Sequence, residues 1–364
     1  KRQAGSPDFN ARMSHALRRI RSGRLSERFF GEIQLKKDGM CPLQCENGLC
    51  ILQLEKGHMA LPMVCRTFPR MEDPLPSGYL ERTLSPACEG VLALLWDLPD
   101  GIDFRSDPLP PSQRRKASLG PQGSLNADFQ EIRSQCIDFL QDRRISLPQR
   151  ILLMGVALKN LVDGERDLSR WMTRVQFYSE QAAAGQISLG EEHEQSLHKF
   201  LANNLRLLPL LPQAEDDFKT VPLEMLEALV IDGRLEKGVS KATISSLLYR
   251  DARDRFQEQF GSREYFMENL MVTLFFQMHF PVLDSPEELW KSYVSFCSLY
   301  SVYRFLAVMS CRAAAAGDRD ELFRLLVYAS RNLIHNGRVQ DAVRDMMFET
   351  DSTSLAHISI LLGG

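Results

Sequence analysis

The sequence predicts a mainly α protein: a small cysteine-rich, metal-binding domain followed by an irregular all-helical domain. Three observations lead there. From Leu125 onward, apolar residues recur at helical spacing between Gly and Pro stops. Five of the eight cysteines, Cys41, Cys45, Cys50, Cys65 and Cys88, crowd into one stretch rich in turn-forming residues. Between the two regions lies PLPPSQRRKASLGPQGS, almost without apolar residues. The expected organisation is a cysteine-rich domain over 1–107, a linker over 108–124 and a helical domain over 125–364.

Each element has its own cue. Residues 11–23 place Met13, Leu17 and Ile20 at helical spacing with Gly23 as a stop, and Arg18, Arg19, Arg21 and Arg24 read as a solvated face. FFGEIQLKK alternates as a short strand, and EGVLALLWDL after Cys88 reads as an apolar helix packed under the cysteines. Arg114, Arg115 and Lys116 belong to a charged loop. The helical domain divides into 125–143, 147–163, 166–184, 189–207, 222–233, 240–260, 263–279, 286–316, 318–336 and 338–349. These segments share no fixed repeat length, which favours a bundle over a solenoid.

Composition removes several function classes. A net charge of -3 gives no basic footprint for nucleic acid. The densest apolar stretch, NLMVTLFFQMHFPVL, is broken by Gln277, His279 and Pro281, so no transmembrane segment is expected. With no visible export signal, the expected location is cytoplasmic, where thiols stay reduced. An oligomer is compatible with all of this.

Clustered thiols have three explanations. The spacing Cys41-x3-Cys45-x4-Cys50, with later returns at Cys65 and Cys88, suits soft thiolate ligands of zinc or an iron–sulfur cluster. Disulfides fit an odd local count poorly, and inert buried thiols are the remaining alternative. Pro42, Asn47-Gly48, Pro62, Pro69 and Pro86 suggest that turns carry the ligands.

At these residues the chain resembles a known family. Cys-Pro at Cys41, Gly-Leu-Cys-Ile at Cys50, Cys-Arg-x-Phe-Pro-Arg at Cys65 and Leu-Ser-x-x-Cys-Glu at Cys88 are similar to the flagellin lysine N-methylases, the FliB family, and to their smaller zinc- or iron-chelating relatives. The resemblance implies Cys41, Cys50, Cys65 and Cys88 as metal ligands. Cys45 matches no family position, Glu89 stands where a Pro often follows the last cysteine, and the family's N-terminal Cys-x-x-Cys-type cluster is absent.

Two helical segments carry polar residues that packing does not require. In EYFMENLMVTLFF, Tyr265, Glu268, Asn269, Val272 and Phe276 share one stripe, which sets a carboxylate in an apolar surface. The resemblance extends to Glu268-Asn269 and to Phe280-Pro281. The segment from Asp318 opens with a capping pattern to Glu321, buries Leu322, Leu325, Leu326, Ala329 and Leu333, and gathers Tyr328, Arg331 and His335 on a second stripe. Those three suit an anionic group such as a cofactor carboxylate, or Arg331 pairs with Glu268. A helix-end His such as His335 is commonly structural.

No nucleotide-binding glycine motif, Walker loop, His-Glu-x-x-His or Gly-x-Ser-x-Gly is present. Methyl transfer is therefore implied by resemblance alone. That resemblance implies a protein-lysine N-methyltransferase acting on flagellin with S-adenosylmethionine and an iron–sulfur cluster, 4Fe-4S, or zinc in its place. In this reading Glu268 is the base and Tyr265 an aromatic neighbour of the amine, with Asn269, Tyr328, Arg331 and His335 holding the cofactor. The rival is a zinc-binding adaptor with a helical docking surface.

Overall fold

A computed structural model describes residues 7–19, 31–36, 40–74, 80–108, 129–164, 168–187, 194–207, 241–281, 285–312, 318–334, 345 and 353–363. The chain divides into two compact units, Lys1–Phe68 and Pro69–Gly364.

The first unit is small. Its first helix, α1, spans Pro7–Ala16, after which Leu17–Arg19 forms strand β1. This corrects the expected helix over 11–23: β1 pairs antiparallel with β2, Gly31–Ile33, setting Leu17 opposite Ile33 and Arg18 opposite Glu32. A charged cross-strand pair, Arg18 with Glu32 at 3.3 Å, accompanies the pairing. Arg18 and Arg19 are exposed, as a solvated face requires. Further on come α2, Ile51–Lys56, a single 3-10 turn at His58–Ala60, and α3, Met63–Thr67. Phe9, Ala16, Leu43, Ile51, Leu52 and Leu61 make a minor core on which Cys41, Cys45 and Cys50 pack.

The second unit opens with an antiparallel hairpin, β3 (Arg70–Pro74) against β4 (Leu80–Leu84), that pairs Arg70 with Leu84 and Pro74 with Leu80. Helix α4, Glu89–Trp96, buries Val91, Leu92, Leu95 and Trp96 in the same core as the later helices. Hairpin and α4 accordingly belong with the helical unit. Of the expected linker, residues 109–124 lie outside the described residues.

The rest is helix: α5 (Phe129–Leu140), α6 (Leu147–Val162), α7 (Leu168–Ala183), α8 (Glu194–Leu207), α9 (Lys241–Phe260), α10 (Tyr265–Gln277), α11 (Pro286–Met309), α12 (Arg319–Leu333) and α13 (Leu355–Leu362). The protein is thus mainly α, with an all-helical carboxy-terminal region. The expected segments 222–233 and 338–349 fall outside the described residues, apart from Asp345.

Local signals set the helix ends. At α6, Ser146 and Gln149 form a reciprocal capping box. Asp318 accepts the Glu321 backbone N–H at 2.8 Å to start α12, and Leu322, Leu325, Leu326, Ala329 and Leu333 are buried as their spacing requires. Helix α11 is shorter than expected, ending at Met309 instead of running to 316. It is the central element, buried along most of its length. Gly155 lets α6 approach it closely, since a Cβ there would sit 2.0 Å from the Tyr293 hydroxyl, which itself donates to the Ile151 carbonyl at 3.1 Å.

Candidate functional site

Helix α10 is apolar nearly all round, so its one buried carboxylate requires partners. Glu268, 1 % exposed, has two. Arg143 donates from Nε to both carboxylate oxygens at 3.0 and 3.1 Å and from Nη2 to Oε1 at 2.8 Å. Arg150 donates from Nη1 to Oε2 at 2.7 Å. Arg150 also donates to the carbonyls of Leu140 and Ile145, and Arg143 to that of Pro99. The hydrogen bond to Glu268 is the chief reason that Arg143 is held above its ordinary pKa.

Tyr265 and Asn269, on the same helix, serve α4. The Tyr265 hydroxyl donates to the Trp96 carbonyl at 2.9 Å, and Asn269 Nδ2 donates to the carbonyls of Leu95 and Leu98 at 3.0 and 2.8 Å. Arg263 adds a bond to the Trp96 carbonyl at 3.1 Å and lies over the Trp96 ring at 4.7 Å. Carbonyls at a helix C-terminus have no partners within the helix, and these three side chains supply them.

Beside Glu268 opens a cleft of about 490 Å³ within the helical unit. Its polar lining includes Arg143, Arg144, Arg150, Arg263 and Arg304 with Glu264 and Glu268. The aromatic lining comes from Trp96, Phe256, Phe260, Tyr265, Phe266 and Tyr300. Arg144 is engaged by Asp142 and Ser179, and its hydrogen bond is the largest cause that lowers Asp142 to a pKa of about 2. Arg304 stands over the Phe256 ring at 5.2 Å. Glu264 is exposed and forms no ion pair among the described residues.

Of the residues expected from the sequence, Glu268 and Tyr265 meet in this cleft, and Asn269, Tyr328 and Arg331 do not line it. Arg331 does not pair with Glu268: its Nε reaches the Ala87 carbonyl at 3.4 Å, beside Cys88. Tyr328 packs partly buried against the core. His335 lies outside the described residues. The arginines were missed, although Arg150 carries the same signal as Glu268, a charge among buried residues such as Ile151, Leu153 and Met154.

A second, partly buried carboxylate ties the hairpin to the helices. Glu81 accepts from Arg133 Nη1 at 2.6 Å and lies 3.2 Å from His279 Nδ1, while Arg133 also donates to the Phe276 carbonyl at 2.7 Å. Phe280-Pro281, beside it, is a cis peptide bond.

All eight cysteines are free thiols. Cys41 and Cys45 sit in turns, but Cys50 and Cys88 are helix N-caps and Cys65 lies on α3, so turns alone do not carry them. Partial desolvation, then negative charge on Cys41 and Cys50, pushes the Cys65 thiol up. These three thiols of the first unit are therefore electrostatic neighbours, and a cation among them would relieve their mutual repulsion. Among the described residues, however, no three His, Cys, Asp or Glu side chains form a ready metal shell. Cys88 belongs to the second unit and packs on the helical core.

Among the described residues, the helical unit holds a cleft lined by arginines and aromatic rings, of a size common to small-molecule sites. The sequence model of the FliB lysine N-methylase C-terminal domain matches residues 133–361, which include Arg143, Arg150, Glu268 and Arg304. The chain belongs to the FliB lysine N-methylase family, and its general role is that of a lysine methylase. No curated protein and no solved structure matches it. No helix among the described residues is long and apolar enough to cross a membrane.

Proposed function

We propose that this protein transfers methyl groups from S-adenosylmethionine to lysine side chains of flagellin in the cytoplasm. The observation that carries this reading is the family match, whose span includes most of the cleft-lining polar residues. The substrate ammonium first gives up a proton to solvent, because only the neutral amine is a nucleophile. Its lone pair then forms an N–C bond to the donor's methyl carbon. The C–S bond breaks, its electron pair stays on sulfur, and the sulfonium becomes a neutral thioether. The methylated nitrogen carries the positive charge away.

Residues of this chain orient that step. Two guanidinium groups occupy both oxygens of the Glu268 carboxylate, so its part is to hold Arg143 and Arg150 in the cleft wall. Tyr265, beneath the Arg143 guanidinium at 5.8 Å from its ring centre, presents an aromatic face that accepts cationic nitrogen or sulfur.

The same reading includes an iron–sulfur cluster, 4Fe-4S, drawing on Cys41, Cys50 and Cys65 of the first unit, and zinc as its alternative. Thiolates are the ligands such a cluster takes, and the influence of Cys41 and Cys50 on the Cys65 thiol supports them. When bound, the cluster would supply structural or redox capacity. Metal analysis of anaerobically purified protein decides the matter: iron with sulfide supports it, whereas stoichiometric zinc without iron favours the adaptor reading.

The test of function is incubation of the full chain with flagellin and S-adenosylmethionine, read by mass spectrometry. Methylated lysines are expected. Flagellin left unmodified by folded, metal-replete protein would overturn the assignment.

A further inference from the structure

We propose that Arg263 is the anion-binding residue of the cleft, its Nε–Nη2 edge receiving a carboxylate or phosphate group of the small molecule held there. This does not depend on the methylase reading, because it concerns the charge and hydrogen-bonding geometry of the cleft.

Arg263 lines the cleft from the 3-10 turn Gly261–Arg263 that precedes α10, and it is partly buried there. Its Nη1 donates to the Trp96 carbonyl at 3.1 Å and to the Tyr265 hydroxyl at 2.9 Å. The guanidinium carbon lies 4.7 Å from the centre of the Trp96 ring. Two hydrogen bonds and a ring face thus fix the plane of the group before any ligand arrives. A guanidinium carries five N–H donors in a planar fork. The two bonds use those of Nη1, which leaves the Nε–Nη2 edge without an acceptor among the described residues. Capping α4 accounts for one side of Arg263 and not for the other.

The charge of Arg263 is equally unanswered. Arg144 pairs with Asp142, while Arg143 and Arg150 share the single carboxylate of Glu268. Arg263 forms no ion pair among the described residues, although Glu264 follows it in sequence. A partly buried cation without a counter-charge is costly, and an anion in the cleft removes that cost. Guanidinium edges take carboxylate and phosphate through two parallel N–H bonds, a geometry that lysine does not reproduce. The cleft, about 490 Å³, falls in the ordinary range for small-molecule sites, roughly 300–1,000 Å³. Trp96, Phe260 and Phe266 give it apolar surface. The ligand is accordingly a small molecule that carries an anionic group on an apolar or aromatic body.

The experiment is a cycle that removes the anion from the ligand and the guanidinium from the protein. The full chain is titrated calorimetrically with two pairs of probes: S-adenosylhomocysteine and its methyl ester, then adenosine monophosphate and adenosine. For wild type, the charged member of at least one pair should bind at least about tenfold more tightly than its uncharged counterpart, as charge-assisted hydrogen bonds require. In Arg263→Gln that preference should largely vanish while the counterparts keep their affinity. A merely structural role would weaken both members of a pair alike and leave the preference in place. A preference confined to the first pair assigns a carboxylate site, and one confined to the second a phosphate site. Arg263→Lys keeps the charge without the fork and should retain part of the preference; it replaces Arg263→Gln if circular dichroism shows that variant unfolded. The proposal is overturned if wild type prefers neither charged probe, or if the preference survives undiminished in the variants. Methylation of flagellin that persists alongside either of those results leaves the methylase reading standing, because the cycle reads binding and not turnover.

Discussion

The two compact units bury their apolar side chains on very different scales. The first packs six fully buried residues, from Phe9 to Leu61, beneath short elements and three neighbouring thiols. The second runs one continuous core from Val91 to Leu362, threaded by α11. A core as small as the first supplies little hydrophobic stabilisation, and small domains of this kind commonly depend on a metal or a partner. The helical unit has no such need. On the proposed reading, what differs is the source of order: ligation would supply it in the amino-terminal unit, whereas the carboxy-terminal unit has packing and buried ion pairs.

Chelation is the strongest way to break that contrast. Thiolate-bound metal contributes on the order of 10 kcal/mol to small metal domains. Removing it from the full chain should make the residues before Phe68 sensitive to protease while the helical unit keeps its thermal transition. Identical proteolysis with and without chelator would mean that packing alone sustains both units.

Substituting Glu268 by Gln should act only on the helical unit. It leaves the buried Arg150 guanidinium and the more exposed Arg143 without their counter-charge, and breaking a buried pair costs about 3–5 kcal/mol. Urea unfolding should show the loss, together with lower methylation. A variant with wild-type stability and no turnover would instead return Glu268 to the role of base.

Replacing Gly155 by Ala tests the packing itself. The added methyl meets the Tyr293 hydroxyl and should cost about 1–3 kcal/mol, read as a lower urea midpoint. An unchanged midpoint would show that α6 and α11 are not held so closely.

Much of the helical unit was legible because its signals are local. The cap at Asp318, the stop at Gly164 and the buried stripe of α12 need only neighbours within a turn or two. Strand β1 was misread because Leu17 and Arg18 continue a helical pattern, while its pairing with β2 depends on residues more than ten positions away. Glu268 was recognisable as a buried charge in want of a partner. Its partners Arg143 and Arg150 were not, since they are separated from it by 125 and 118 positions. The resemblance rests mainly on the cysteine motifs over 41–88, whereas the family match covers 133–361 and leaves those motifs outside it.

The smallest effect concerns pH. The Asp142 carboxyl is depressed to about 2, chiefly by its hydrogen bond to Arg144, so its contribution is present above the ordinary carboxylate pKa and fades as pH falls toward 2. Because the Arg144 partner is largely solvated, Asp142→Asn should cost less than about 1 kcal/mol at neutral pH. The variant should lose less stability than wild type between pH 4 and pH 2, as urea unfolding at each pH would register. Parallel pH curves for the two proteins would remove Asp142 from the acid response.

The central claim, that the cleft beside Glu268 serves methyl transfer, is tested most directly by quantifying lysine methylation of flagellin for wild type and Tyr265→Leu at graded S-adenosylmethionine concentrations. The account predicts a raised apparent KM for the donor in the variant, with methylation recovered at high donor concentration. The same KM for both proteins would contradict it.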